Sequence, residues 1–338
     1  MANDYFTLEI GDNYLRLADV EIVNNQFNIV SLGQVEKSTL FFTSQNEKSL
    51  NDTALEIEKL VQNLRIKKKA VNIIIPDTYT YSQVLTMPYL KEKELLSAIK
   101  YQADQFIPLP IDETTIDLDI LSEDKKNNSL LILIVAAPNN LIDRVGLLVE
   151  KAGLIPQNIE NQASSASRVI NFYKEKKTTV FINMDYYSTT LYFYNPQLNL
   201  VTNIYNFKIG LSLFYKEIQV NYNFDLAKSD QVLKTIGLAA NGSMNLTDIL
   251  QPALNEFVSE LEKFILSLKE KENIPKIDQI VIFNLVNKFS QFEKGLQTRL
   301  GINTVQFDLS NLVTKNNNSP VFDQARSSFI TVLGEALK

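Results

Sequence analysis

Two distant stretches of this chain carry the same strand-turn-strand pattern, and that repetition restricts what it can fold into. In the first, Phe6, Leu8 and Ile10 alternate with Tyr5, Thr7 and Glu9, Gly11 to Asn13 turns, and Leu15, Leu17 and Asp19 alternate with Arg16, Ala18 and Val20. In the second, a strand opens at Thr178 to Ile182, a turn follows, and Thr190, Tyr192 and Tyr194 alternate with Leu191 and Phe193. A side-chain period of two marks half-buried or buried strands. Meeting the unit twice predicts two α/β domains built to one plan. A chain of 338 residues divides readily in that way.

Between the copies the periodicity switches between strand and helix. Phe27, Ile29 and Val30 give a third strand, Asn51 to Leu64 a helix with Leu55, Leu60 and Leu64 inward, and Val71 to Ile75 a buried strand ended by Pro76. The pattern restarts near Tyr79 with a strand over Ser82 to Met87. Leu95, Ile99, Ala103 and Phe106 then stripe a helix that Pro108 and Pro110 stop, and Ile116, Leu118 and Ile120 alternate as another strand. After the polar turn EDKKNNS, Leu130 to Ala137 is a strand, and Asn140 is expected to cap a helix that ends at Gly153.

The stretch Glu94-Leu95, Ala98-Ile99, Tyr101, Ala103-Asp104-Gln105-Phe106-Ile107-Pro108, Pro110, Asp112-Glu113 resembles the signature of the PilM family, actin-like proteins of type IV pilus assembly related to FtsA. The resemblance implies an actin-like fold of two ribonuclease H-like domains. The first spans 1–176, with an interaction subdomain inserted at about 79–153. The second spans 177–338, with a helical subdomain at about 206–275, in which Asn223, Phe224 and Asp225 open a helix ending at Gly237. Pro252 to Lys269 is the cleanest helix, Lys288 to Leu300 is another, and Phe329, Val332, Leu333 and Leu337 stripe a last one that docks on the body and returns to the first domain.

Composition removes several function classes. The chain has no cysteine and no histidine, which excludes disulfides, thiolate nucleophiles, zinc-thiolate sites and the commonest general base, and no metal site is read. Its formal charge of −6 argues against a nucleic-acid binder, and Lys67 to Lys69 and Lys174 to Lys177 read as solvated loop charges. No apolar run approaches the ~18 residues of a membrane span, and MANDYF lacks a signal core, so a cytoplasmic protein that meets the membrane through partners is expected. Ten glycines in 338 residues is under half the usual ~7%. Loops that cradle phosphate depend on glycine, because a Cβ keeps backbone N–H groups away from the phosphate.

The nucleotide motifs that the resemblance brings with it are altered here. The first phosphate turn, approximately D-I-G-S-x-x-V-K in the family, reads Glu9-Ile10-Gly11-Asp12-Asn13-Tyr14-Leu15-Arg16, with a carboxylate at Asp12 where a hydroxyl belongs. The second, D-I-G-A-x-x-T, reads Asn183-Met184-Asp185-Tyr186-Tyr187-Ser188-Thr189, with Asp185 in place of glycine. The adenosine motif reads Ile282-Phe283-Asn284-Leu285-Val286 without glycine, and Gln162 falls where hydrolysing relatives orient water. Glu9, Gly11, Asn13, Arg16, Gln162, Asn183, Asp185 and Asn284 are the residues that would face a nucleotide. The expectation is a scaffold without ATP turnover and without a cofactor; the alternative is an ATPase using Glu9 and Asn183 with ATP and Mg²⁺.

By resemblance, the partner is the cytoplasmic N-terminal peptide of a PilN-like inner-membrane protein, gripped between the first half-domain and the insert. Ile73, Ile75, Val84, Leu85, Leu95, Ile99 and Phe106 are the expected wall. Pilus assembly ATPases and a homo-oligomer are further partners the family brings into range, and a secretion machine is the neighbouring setting.

Overall fold

The computed structural model describes residues 4–37, 40–102, 107–239, 244–272, 274–284, 288–314 and 326–338. Of the residues singled out above, Ala103, Asp104, Gln105, Phe106, Leu285 and Val286 lie outside them.

The repeated unit folds into two five-stranded sheets with one topology. In the first, β1 (Tyr5–Ile10) pairs antiparallel with β2 (Tyr14–Val23), which pairs with β3 (Gln26–Glu36); on its other side β1 runs parallel to β4 (Ala70–Ile75), which runs parallel to β8 (Ile155–Asn161). In the second, β9 (Thr179–Met184) and β12 (Gln279–Phe283) take the places of β1 and β4. They are flanked by β10 (Thr189–Asn195) and β11 (Leu200–Phe207) on one side and β13 (Asn303–Gln306) on the other. The central strands β1, β4, β9 and β12 are buried over nearly every residue, which is why they read as continuous apolar runs.

Helices α1 (Glu47–Asn63) and α3 (Asn139–Lys151) cover the outer face of the first sheet, burying Ile57, Leu60, Val145 and Leu148 on Ile73 and Ile75. Helix α4 (Gln162–Tyr173) lies between the two sheets, where Ala163, Ala166 and Ile170 pack with Phe181, Tyr192 and Phe283. On the far face of the second sheet sit α5 (Leu211–Tyr222), α6 (Leu226–Thr235), α7 (Leu246–Lys271) and α8 (Phe292–Leu300) around Phe214, Phe257, Leu261 and Phe292. The last helix, α9 (Ile330–Gly334), returns to the first domain and packs on α4, β1 and β2.

The insert is smaller than expected. Its sheet consists of β5 (Tyr81–Pro88), β7 (Ser129–Pro138) and β6 (Thr114–Asp124) in that spatial order, with α2 (Glu92–Gln102) over one face and Leu95, Ile99, Ile132 and Ile134 as its core. It therefore ends at Pro138, not near 153, because the apolar stripe of α3 packs on the first sheet beside α1. Pro138, not Asn140, precedes the first residue of that helix. Helix α7 begins six residues before Pro252, which sits inside it and lacks the N–H that would reach back one turn.

Candidate functional site

The two repeated turns meet face to face between the sheets. After β1, Gly11 N–H donates to the Tyr14 carbonyl at 3.0 Å and Lys37 Nζ to the Gly11 carbonyl at 2.7 Å. A Cβ on Gly11 would come within 2.3 Å of the Tyr14 ring, so this glycine makes room for a phenol packed across it. In the opposite turn Asp185 N–H donates to the Ser188 carbonyl at 2.9 Å. The carbonyls of Asp185 and Tyr186 accept from the first amides of α5, Leu211 and Ser212, at 3.0 and 2.9 Å. Those amides, which at a helix start would otherwise be open to an anion, are used within the protein.

Side chains bridge the gap. Gln162 Nε2, the first residue of α4, lies 2.8 Å from Glu9 Oε1, 2.7 Å from Asp185 Oδ2 and 3.0 Å from the Tyr14 hydroxyl. The Tyr14 hydroxyl is itself 3.0 Å from Glu9 Oε1 and 2.9 Å from Asp185 Oδ2. Glu9 Oε2 accepts from Thr331 Oγ1 at 2.7 Å and pairs with Arg16 at 3.4 Å, while the Arg16 guanidinium lies 3.8 Å over the Tyr14 ring. A second bridge runs through Asp77: one oxygen accepts from the Ala163 amide at 2.8 Å and the other from Thr190 Oγ1 across the cleft at 2.7 Å. Thr78 meets Ser188 at 2.7 Å and Lys288 meets Glu36 at 2.9 Å.

The structure thus gathers Glu9, Gly11, Arg16, Gln162 and Asp185 around one point, and that point is occupied by Tyr14. Asn13 and Asn284 line a remaining cavity of about 30 Å³ with Arg16, Asp185, Tyr186 and Lys288. That holds one or two waters, whereas sites that bury a nucleotide-sized ligand run to ~300 Å³ or more. Asn284, in a left-handed conformation at φ 67°, has no partner for its side-chain amide among the described residues, while its backbone N–H donates to the Ser327 carbonyl. Asn183 is buried within β9 beside Thr190 and Phe283. Asp12 does not face an open phosphate site; it accepts from the Tyr79 hydroxyl at 2.7 Å. In this arrangement the residues present do not fit a nucleotide.

Tyr14, Lys37, Asp77, Thr190 and Thr331 belong to the site and sequence reasoning missed them. Only Tyr14 left a signal, a bulky ring three residues after a glycine turn. The expected partner wall is corrected too. Ile73 and Ile75 are buried under α1 and α3, and Leu95 and Ile99 under the insert's own sheet, so none presents a surface. Val84 and Leu85 line a cavity of about 540 Å³ between the insert and β11, with Leu131, Ile204 and Phe264. Apolar periodicity marks burial, and it does not distinguish a core from a groove.

Burial dominates the electrostatics. It pushes Asp12 up to about 7, helped by the Asp185 charge and opposed by Tyr79 and Lys37, and it pushes Asp77 up to about 7 against its bonds to Thr190 and Ala163. It lowers Lys37 to about 8 against the carboxylates around it. A carboxyl raised in the folded state binds its proton more tightly there, so the stability it contributes is whole below about 4 and is lost as pH rises to about 7. Replacing Asp77 by asparagine keeps the acceptor for Ala163 and should flatten that part of the profile. Denaturant midpoints at pH 5 and pH 8 check this: the wild type should lose on the order of a few kcal/mol more than Asp77→Asn between them.

The family model described as type IV pilus assembly protein PilM matches residues 7–338. A solved structure described as the PilM-PilN type IV pilus biogenesis complex superimposes with a TM-score of 0.83 at 21% identity, over 100% of this chain and 98% of that one. The ethanolamine utilization protein EutJ from Carboxydothermus hydrogenoformans superimposes with a TM-score of 0.53 at 10% identity, over 98% and 88%. At such identities the likeness is one of fold, and the fold is the actin-like one that the duplication and the signature helix led us to expect. With the family model spanning nearly the whole sequence, the chain belongs to the PilM family of type IV pilus assembly proteins.

Proposed function

We propose that this chain is a cytoplasmic scaffold of a type IV pilus machine that binds the N-terminal peptide of a PilN-like inner-membrane protein and does not turn over ATP. Family membership and the likeness to a PilM-PilN complex support the partner. Among the described residues no helix is long and apolar enough to cross a membrane; in this reading the partner brings the chain to the membrane. The observation that carries the loss of turnover is the Tyr14-Gln162 bridge, which ties Glu9 to Asp185 in the place where phosphate and metal would have to sit. The insert supplies the surface for protein contacts, with β5, an edge strand of its sheet, beside an open cavity that β11 borders.

Isothermal titration tests both halves. A synthetic peptide of the partner's cytoplasmic N-terminus should bind with micromolar affinity, and ATP with Mg²⁺ should give no heat at millimolar concentration. Micromolar ATP binding, visible also as about 2.7 kcal/mol of added stability at a hundredfold excess over Kd, would overturn the nucleotide-free part. Silence with the peptide would overturn the scaffold part.

A further inference from the structure

We infer that Tyr14 is an internal ligand that holds the cleft between the two domains shut, so that domain closure in this chain is built in and needs no nucleotide. The proton arithmetic at the bridge carries the inference. Two carboxylates on different domains, Glu9 and Asp185, point at one another with no cation among the described residues between their facing oxygens. Left alone they repel. What separates them is one phenol and one primary amide: Gln162 brings two protons and Tyr14 one, against acceptors on Glu9, Asp185 and the phenol oxygen. Three donors meet three acceptors, in the buried interior where an unmet hydrogen bond is most costly. Removing the phenol oxygen takes away a donor and an acceptor together and leaves Gln162 to bridge Glu9 to Asp185 Oδ2, while Asp185 Oδ1 keeps its bond from the Tyr186 N–H within the same turn.

The surroundings are shaped for the phenol. Gly11 is the residue on which the ring lies, and any Cβ there would overlap it. The Arg16 guanidinium lies over the ring, 3.8 Å from its centroid, and reaches Glu9 at 3.4 Å. A ring packed this tightly, with its hydroxyl bonded into the opposite domain, resists rotation out of the cleft. A nucleotide would have to displace it against both contacts. The bond from Thr190 to Asp77 crosses the same cleft, so a second polar contact between the domains supports Tyr14.

Spin labels read the domain separation directly, because the chain has no cysteine and labels attach only where cysteines are placed. Lys59→Cys on α1 and Lys216→Cys on α5, both exposed, put one label on each domain. The wild-type background should give one narrow distance distribution that millimolar Mg·ATP leaves unchanged; a shift on adding nucleotide would overturn the latch, and this arm needs no cleft substitution. Tyr14→Phe, which deletes a single oxygen, should add a longer component, and Tyr14→Phe with Gln162→Met should make it predominate. Folded variants that keep the wild-type distribution would also overturn it. Peptide titration of the same variants separates this result from the scaffold reading, since a chain that opens yet still binds the partner peptide retains that function.

Discussion

Replacing Gly334 by alanine should destabilise the protein by about 4 kcal/mol or more, the range reached only by a few kinds of single substitution. The reason is distance. A Cβ built on Gly334 lies 2.1 Å from the Ser165 carbonyl oxygen and 2.4 Å from Ser165 Oγ. Both belong to the buried helix α4, whose backbone is held on two sheets and cannot withdraw. The short helix α9 must lift instead, and with it Phe329, Ile330, Val332 and Leu333, each buried and each contributing about 1.5–3 kcal/mol by its burial. Lifting α9 also draws Glu335 away from Asn72, 2.7 Å from it, and from Arg168. Thermal unfolding checks this as a fall in Tm of roughly 10 °C, taking 2–4 °C per kcal/mol for domains of this size. Gly146 is the control: it lies within α3 with nothing inside 4 Å of its Cβ position, and Gly146→Ala should stabilise by about 0.5–1 kcal/mol. Equal behaviour of the two substitutions would refute the argument.

The contrast between these glycines shows where sequence reading stops. Both stand in helical patterns and are equivalent by propensity; only the approach of α4, far away in sequence, makes one of them indispensable. The duplicated sheets were legible because period-two alternation is local, and β1–β2 and β9–β10 fell where it placed them. Helix α3 was legible as a helix but not as a neighbour of α1, since its stripe says only that it is covered. For the same reason Ile73 and Leu95 looked equally suited to a groove and to a core. Tyr14 is the sharpest case. Read in sequence it is one more strand residue, and what gives it meaning is Asp185, 171 positions on. Asp185 in the second turn and the ring that follows Gly11 in the first meet at 2.9 Å, and together they make a bridge that neither residue announces alone.

Replacing Arg16 by methionine should cost about 3–5 kcal/mol, because it removes one member of a buried ion pair and leaves the other. Glu9 is fully buried, and among the described residues its Oε2 has two partners, Arg16 at 3.4 Å and the neutral Thr331 hydroxyl at 2.7 Å. With the guanidinium gone, its remaining hydrogen bonds come from Thr331, Tyr14 and Gln162, all uncharged. Methionine retains much of the arginine stem's bulk, so the packing loss is small beside the stranded charge. The guanidinium also covers the Tyr14 ring and donates through Nε to Gln34 at 2.7 Å, so part of the loss belongs to those contacts. A double substitution separates the two contributions. Glu9→Gln in the Arg16→Met background removes the unpaired carboxylate while keeping an acceptor for Thr331, and it should recover more than half of the lost stability in a urea melt. If it recovers nothing, the loss lies in packing around Tyr14 and not in the buried charge. In that event the bridge stands on the ring contacts of Arg16, and Tyr14 depends on its cap more than on the carboxylate beneath it.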